Sequence, residues 1–304
     1  MRFCQPICPG LLLILALLVG VEAAWSQEQQ LTEDGRLKRD AAYCAHSRCI
    51  VFTQEDHRTG KMRLMKLNLE DLSVSPFEAE SDESRREFSV SADGNVYCFN
   101  VVRGLSSSIR VFDRKASQQA TLPKMDKDPW SNWPAISPDG KTVVWVEGAR
   151  VMYAYNFAEN KGRESVRRFT APGDDYSDYM PSFFPSGKQL AFASNRDHDF
   201  EIYLMNSDGT GQQRLTESRG IDMHPAVSPD GKRVAFTSNR DGNYEIYVID
   251  LATRKSQRVT QNEEVDNFAC WLPTRPNELV YVGQRDGKTD LYRISLGSLS
   301  LAAE

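Results

Sequence analysis

Three aspartates, Asp178, Asp222 and Asp266, recur at intervals of 44 residues, and three carboxylates brought to one place have a definite chemistry. They repel one another unless a cation or a basic side chain stands among them, and an all-oxygen set of this kind suits Ca²⁺. The corresponding places in other stretches of the chain hold Arg85 and Ser131, with Asp40 a sixth of weaker fit. Two readings stay open. In one, Asp178, Asp222 and Asp266 are metal ligands; in the other, each Asp accepts backbone N–H bonds within its own loop. Aromatic residues lie close by, namely Trp130, Trp133, Tyr176, Tyr179 and Phe268, with Met180 and His224 at related positions. Aromatics beside carboxylates fit a protein hot spot or a stacking platform for a sugar. The residues expected to bind a partner are therefore Trp130, Trp133, Asp178, Tyr179, Asp222, His224, Asp266 and Phe268, although several of the rings would serve equally to fill gaps between repeats.

Other chemistries have no support. The chain carries no Gly-x-Ser-x-Gly elbow, no Gly-rich phosphate loop and no His-Glu-x-x-His, the patterns that nucleophilic, phosphate-binding and zinc sites would need. His46, His57 and His198 fall at unrelated places, so no histidine cluster forms. With 37 Lys+Arg against 42 Asp+Glu, a net charge of −5 and no basic block, nucleic acid is excluded as a partner. A composition of 26% charged and 40% hydrophobic residues is that of a soluble globular protein.

The elements that must position these residues are repeats. Pro181–Asp197 and Pro225–Asp241 are near copies; each continues into Glu-Ile-Tyr and closes on Arg-Leu-Thr or Arg-Val-Thr. One aromatic marks the same place throughout, at Phe52, Phe99, Trp145, Phe192, Phe236 and Tyr281, with spacings of 47, 46, 47, 44 and 45. A period in the forties with four short strands per unit is the pattern of propeller blades. The spacing predicts an all-β six-bladed β-propeller of four-stranded antiparallel blades around a central channel. Turns of the Pro-Asp-Gly type, as at Pro229–Gly231, join the first two strands of a blade. The Asn-Arg-Asp loops, 195–197 and 239–241 with Gln284-Arg285-Asp286 as a variant, are read as structural turns held by an Arg to carboxylate bond. Residues just ahead of each first strand should ring one mouth of the channel.

The N-terminus has a basic start at Arg2, an apolar run from Leu11 to Val21 and small residues after it, the pattern of a secretory signal peptide too short to span a bilayer. The expected layout is a signal peptide over 1–26, a polar leader over 27–40 and the propeller over 41–304. The mature chain should carry no membrane span, be a monomer, and lie in the periplasm or outside the cell. Four cysteines remain, Cys44, Cys49, Cys98 and Cys270. Cys44 and Cys49 flank a hairpin tip where they could pair, while Cys98 and Cys270 stand where sibling repeats carry Ala and read as small buried side chains.

The string Ser228-Pro-Asp-Gly-Lys232, followed by Ala-Phe-Thr-Ser-Asn-Arg-Asp-Gly-Asn-Tyr-Glu-Ile-Tyr-Val248, resembles the repeat of the TolB-type β-propellers, a WD-like unit of exported bacterial proteins. The likeness is strong in the fourth and fifth copies, good in the third and sixth and weak in the first two. It implies an envelope setting. The family's namesake binds the peptidoglycan-associated lipoprotein Pal at the channel mouth and carries an α/β domain ahead of its propeller. About 14 residues separate the expected cleavage site from the first blade, so that domain is expected to be missing here. Function is then expected to be that of an exported binding or scaffold propeller, engaging a periplasmic or envelope protein through its mouth. The alternative is a carbohydrate-binding or polysaccharide-degrading propeller using the same mouth.

Overall fold

The computed structural model describes residues 28–297 apart from 80–81, 149–150, 160 and 171–175; the expected signal peptide lies outside the described residues. Six four-stranded antiparallel sheets make up the fold. A short strand β1 (Glu28–Gln30) comes first. The first blade is then β2 (Lys38–Cys44), β3 (Cys49–Asp56), β4 (Lys61–Asn68) and β5 (Val74–Pro76). The second is β6 (Ser84–Val90), β7 (Val96–Arg103), β8 (Ser106–Asp113) and β9 (Gln118–Thr121), and the third is β10 (Ser131–Ile136), β11 (Thr142–Glu147), β12 (Val151–Asn156) and β13 (Val166–Arg168). The fourth is β14 (Asp178–Phe183), β15 (Gln189–Ser194), β16 (Glu201–Asn206) and β17 (Gln213–Arg214). The fifth is β18 (Asp222–Val227), β19 (Arg233–Ser238), β20 (Glu245–Asp250) and β21 (Ser256–Arg258). The sixth is β22 (Asp266–Leu272), β23 (Arg275–Arg285) and β24 (Lys288–Ser295), with β1 as its outer strand.

Within the segment 27–40, expected to lead into the propeller, residues 28–32 instead close it. Gln30 pairs with Tyr292, Leu31 N donates to Leu291 O at 2.7 Å, and Thr32 Oγ1 donates to the buried Asp290 at 2.7 Å. Blades four and five do the same internally, with Thr216 Oγ1 on Glu201 at 2.6 Å and Thr260 Oγ1 on Glu245 at 2.5 Å. Gln30-Leu31-Thr32 is thus the Arg-Leu-Thr of the sixth repeat, placed at the other end of the chain. Outer strands are short and exposed, which is why this one has no apolar signature. The first strand of the first blade then starts at Lys38 rather than after residue 40.

Blade packing follows from the repeat. The six marker aromatics are fully buried, and each faces a neighbouring blade: Phe236 and Val234 pack on Ala191, Ala193, Ile202 and Leu204 of the fourth blade. The next residue in the strand, Ala235, points the other way onto Trp271 and Tyr281 of the sixth. Alternation of a large and a small side chain lets one sheet fill both interfaces, so β15 and β19 are buried over five consecutive residues. Cys98 and Cys270 occupy the small positions, as their Ala siblings do. In the turn of the second blade, Gly94 has φ 74°, and a Cβ there would stand 2.3 Å from the backbone N of His46. That turn therefore packs directly on the tip of the first blade's hairpin.

Candidate binding site at the channel constriction

The repeated aspartates open the first strands of blades four to six and are fully buried. Each meets the Arg of its own blade's Asn-Arg-Asp or Gln-Arg-Asp loop: Asp178 with Arg196 at 2.8 Å, Asp222 with Arg240 at 2.7 Å and Asp266 with Arg285 at 2.7 Å. Each guanidinium also lies over a ring of its blade, Arg196 over Phe192 and Arg240 over Phe236 at 5.4 Å and Arg285 over Tyr292 at 4.6 Å. Burial still pushes Asp178 up, and Asp266 up to about 6. The structure does not gather the three: among the described residues no group of three or more His, Cys, Asp or Glu side chains could hold a metal ion. Their register partner in the first blade is Lys38, not Asp40; Lys38 pairs with Gln54 as Asp178 pairs with Ser194.

Asp40 stands two residues on, in a second and different ring. Every first strand breaks its ladder at an equivalent place, and there one residue takes the left-handed conformation: Asp40, Glu87, Trp133, Met180, His224 and Phe268, with φ between 48° and 58°. A bulge of this kind re-aims a side chain. All six line one cavity of about 150 Å³ on the propeller axis, together with the residue that follows each of them, Ala41, Phe88, Pro134, Pro181, Pro225 and Ala269. Those six followers also line a wider compartment of about 550 Å³ beyond, whose walls are largely Ala, Pro, Val and Ile up to the turns at Pro138, Pro185 and Pro229. The channel is thus an apolar vestibule on one side and a narrow, chemically mixed mouth on the other.

Of the residues expected to bind a partner, Trp133, His224 and Phe268 are brought together at this mouth. Tyr179 is behind it, edge-on to Trp133 at 4.6 Å and beside Phe200 at 5.5 Å, in the seam between the third and fourth blades. Trp130 sits on the loop ahead of β10, with its N–H on Asp128. Sequence reasoning missed Asp40 as a member of this ring, and Glu87 altogether. Counting back one residue from Ala41 and Phe88, the equivalents of Pro181, would have found both.

The electrostatics of the mouth are lopsided. Asp40 and Glu87 come from adjacent blades, and the Glu87 N–H donates to Asp40 at 3.2 Å. Burial, reinforced by the Asp40 charge, pushes Glu87 up to about 7, and burial also raises Asp40. Glu87 Oε2 accepts from Trp133 N at 2.7 Å and Asn100 Nδ2 at 3.1 Å, whereas Oε1 has Arg86 Nε near it at 3.4 Å. Across the channel His224 and Phe268 have ring centroids 4.3 Å apart, and the Arg39 guanidinium lies 5.2 Å over Phe268. Burial, with the Arg39 charge beside it, takes His224 down to about 3, so its imidazole is neutral; its Nδ1 has no hydrogen-bond partner.

A closed ring of six small antiparallel sheets, with the most varied residues of the repeat at one channel mouth, defines a six-bladed β-propeller. The pattern of the TolB beta propeller domain matches residues 133–244 and 223–302, more than half of the chain, and the chain belongs to that family. Over 93 residues it is 32% identical to the Tol-Pal system protein TolB of Anaeromyxobacter dehalogenans strain 2CP-C, a stretch that makes up 30% of this chain and 20% of that one. The chain therefore matches about a fifth of the length of this curated relative. Among solved structures, TolB from Acinetobacter baumannii superposes with a TM-score of 0.64 at 18% identity, covering 83% of this chain and 64% of that chain. A putative TolB from Agrobacterium tumefaciens gives 0.64 at 19% identity, covering 87% and 92%. Both share the fold. No helix among the described residues is long and apolar enough to cross a membrane.

Proposed function

We propose that this chain is an exported binding module that engages an envelope protein through the narrow mouth of its channel, with residues 1–26 as its export signal and a periplasmic or secreted monomer as its working form. One observation carries the reading: the left-handed position that favours glycine holds a half-buried Trp133, His224 and Phe268 in three separate blades, and all three face one cavity. A side chain at such a φ costs about 1–2 kcal/mol against glycine, and aromatic anchors at a recess are what a hot spot needs. The relatives named for the Tol-Pal system support the envelope setting, and the family carries the partner class.

The test is a pull-down from the envelope fraction of the source organism. Immobilised wild-type protein should recover a lipoprotein identifiable by mass spectrometry. Trp133→Ala should weaken its binding by more than ~1 kcal/mol at unchanged melting temperature. Unchanged binding with a lowered melting temperature would make Trp133 a packing residue and remove the reading's main support. Retention of a polysaccharide instead of a protein would move the function to the carbohydrate class.

A further inference from the structure

We propose that the constriction built by Asp40, Glu87, Trp133, Met180, His224 and Phe268 is a receptor for a single alkylammonium group, the tip of a partner's lysine side chain entering along the channel axis. The inference rests on the reading of this mouth as the binding face and names the group that the mouth recognises.

Three features of the recess agree on the ligand's chemistry. The first is charge. Asp40 and Glu87 sit side by side on one wall, and the second carboxyl oxygen of Glu87 is met by Arg86 at 3.4 Å through an Nε that completes no hydrogen bond. Arg86 gives its terminal nitrogen to Asn132 at 3.2 Å instead, and Arg39 is stacked on Phe268. The two arginines flank the acidic pair without neutralising its hydrogen-bonding capacity. The second feature is a surplus of acceptors. His224, on the recess wall, is neutral with Nδ1 unpartnered. The unpartnered donor beside the acidic pair, Arg86 Nε, stands 3.4 Å from Glu87 without completing a bond to it, which leaves the carboxyl oxygen open to a mobile cation. The third is the rest of the wall, where Trp133 and Phe268 flank the acidic pair in the neighbouring blades and Met180 lies opposite it, aromatic rings and a polarizable sulfur around a cation held by the carboxylates. At about 150 Å³ the recess has room for one small cationic head and not for a folded segment.

The geometry separates this ligand from the alternatives. A metal ion would want three or more converging ligands, and no group of three His, Cys, Asp or Glu side chains that could hold one exists among the described residues. An anion would face Asp40 and Glu87. A neutral aliphatic tip would leave both carboxylates desolvated and unpaired.

The experiment is calorimetric titration of the full chain with n-butylammonium chloride at pH 8, with KCl at matched ionic strength and n-pentanol as controls for charge alone and chain alone. Saturable binding is expected with the amine and with neither control. Glu87→Gln keeps the acceptor for Trp133 N and Asn100 while removing the charge, and should weaken the amine at least ten-fold; Asp40→Asn and Phe268→Leu should each weaken it several-fold. Lowering the pH to 5.5 protonates Glu87 in the wild type, next to Asp40 and Arg86 and opposite the still neutral His224 with Arg39 behind it, and should also cost about ten-fold. This arm needs no variant to fold. Equal heats from KCl, or amine affinity unchanged both in Glu87→Gln and at pH 5.5, would overturn the proposal. A short peptide ending in lysine that binds more tightly than the free amine assigns the site to a protein side chain; the reverse order keeps the cation site and overturns the assignment to a partner's lysine. Loss of amine binding with partner capture intact removes this inference alone, and loss of capture with amine binding intact removes only the partner reading.

Discussion

Blades four to six and blades one to three solve the same structural problem with different residues. In blades four to six the first strand opens on Asp178, Asp222 or Asp266, and the guanidinium over the buried ring comes from the loop after the second strand. In the second blade the first strand itself supplies Arg85, whose guanidinium lies 5.4 Å over Phe99, the distance at which Arg196 and Arg240 lie over theirs. Its carboxylates come from the segment between β5 and β6, Glu78 at 2.8 Å and Glu83 at 3.8 Å. In the first blade Lys38, fully buried, pairs with Asp34 and with Asp290 of the sixth, and in the third Ser131 receives a hydrogen bond from nothing charged but takes Ser107. A position that repeats one residue in three blades serves each blade, whereas the bulge position, filled by six different residues, is free to serve the channel.

The regular half is also wired across its seams. Glu201 holds Arg214, Thr216 and the N–H of Ser218, whose hydroxyl reaches Asp222 of the next blade at 3.4 Å. Glu245 repeats this with Arg258, Thr260 and Asn262, and Asn262 donates to Asp266 at 2.6 Å. Asp290 ends the series by taking Thr32 and Lys38 from the first segment of the chain. The ring is therefore closed by a polar network as well as by β1.

The closure is where the comparison can be broken hardest. Removing residues 28–32 takes away the outer strand of the sixth blade, the buried Leu31 and the Thr32 hydroxyl on Asp290, which keeps its ion pair with Lys38; the expected loss is more than about 5 kcal/mol, from several ladder bonds, an apolar side chain and an unmet carboxylate acceptor together. Thr32→Val alone should cost about 2 kcal/mol. Urea unfolding and limited proteolysis check both, and a truncated chain as stable as the full one would mean that β1 is an accessory strand.

Within the regular half, Asp222→Ala strands Arg240 against a buried ring and should cost about 3–5 kcal/mol. Glu83→Ala in the second blade releases the two-pronged bond from Arg110 and the bond from Arg103, both part-exposed, while Glu78 still holds Arg85, and should cost about 1 kcal/mol. Denaturant midpoints decide the order. Equal losses would show that the carboxylates of the second blade are as deeply committed as the buried aspartates.

Most of the fold was legible in the sequence because its marks are large and periodic: six aromatics at nearly equal spacing, and turns whose Ser and Asp side chains lock the hairpin, Ser228 donating to Asp230 at 2.6 Å and accepting from Arg233 N at 2.9 Å. The closing strand was hidden because three polar residues carry no period, although Leu31-Thr32 echoes Leu215-Thr216 and Val259-Thr260. At the site, the shared spacing of the aspartates suggested a common destination, but burial and the same-blade Arg gave each a local one. Trp133, His224 and Phe268 were found by their place before the proline position. Asp40 and Glu87 escaped because the proline that marks the place in blades three to five is replaced by Ala41 and Phe88 in the first two, where the repeat is least regular.

The mouth gives a pH signature of its own. Glu87 holds its proton more tightly folded, up to about 7, than at its ordinary 4.5, so its contribution to stability is complete below about pH 4.5 and is lost as the pH rises through 7. The carboxylate then costs up to about 3 kcal/mol at pH 8. Glu87→Gln should accordingly melt higher than the wild type at pH 8, with the difference shrinking to nothing by pH 4.5. A difference that does not change with pH would mean that Arg86 already neutralises Glu87 when folded.

The last expected effect is at the tip of the most divergent blade. Regular blades turn from first to second strand on Pro-Asp-Gly or Pro-Ser-Gly, whereas the first blade uses Ala45–Arg48, with Arg48 itself at φ 49°. Cys44 and Cys49 are register partners across that turn and are free thiols, and hydrogen bonding between them takes Cys44 down to about 6 and Cys49 up. Glutathione disulfide should oxidise this pair, the two thiols giving up two electrons and two protons to form one disulfide and two reduced glutathiones. Closing so short a loop stabilises by ~2 kcal/mol at most in the chain-entropy account. Cys98 and Cys270 lie in separate clusters, both raised by burial, and should still be alkylated after unfolding. Peptide mapping by mass spectrometry reads the outcome directly: a Cys44–Cys49 bond makes the tip a covalent substitute for the glycine turn, while a bond to Cys98 or Cys270 would require the blades to separate and would contradict the packing of the first two.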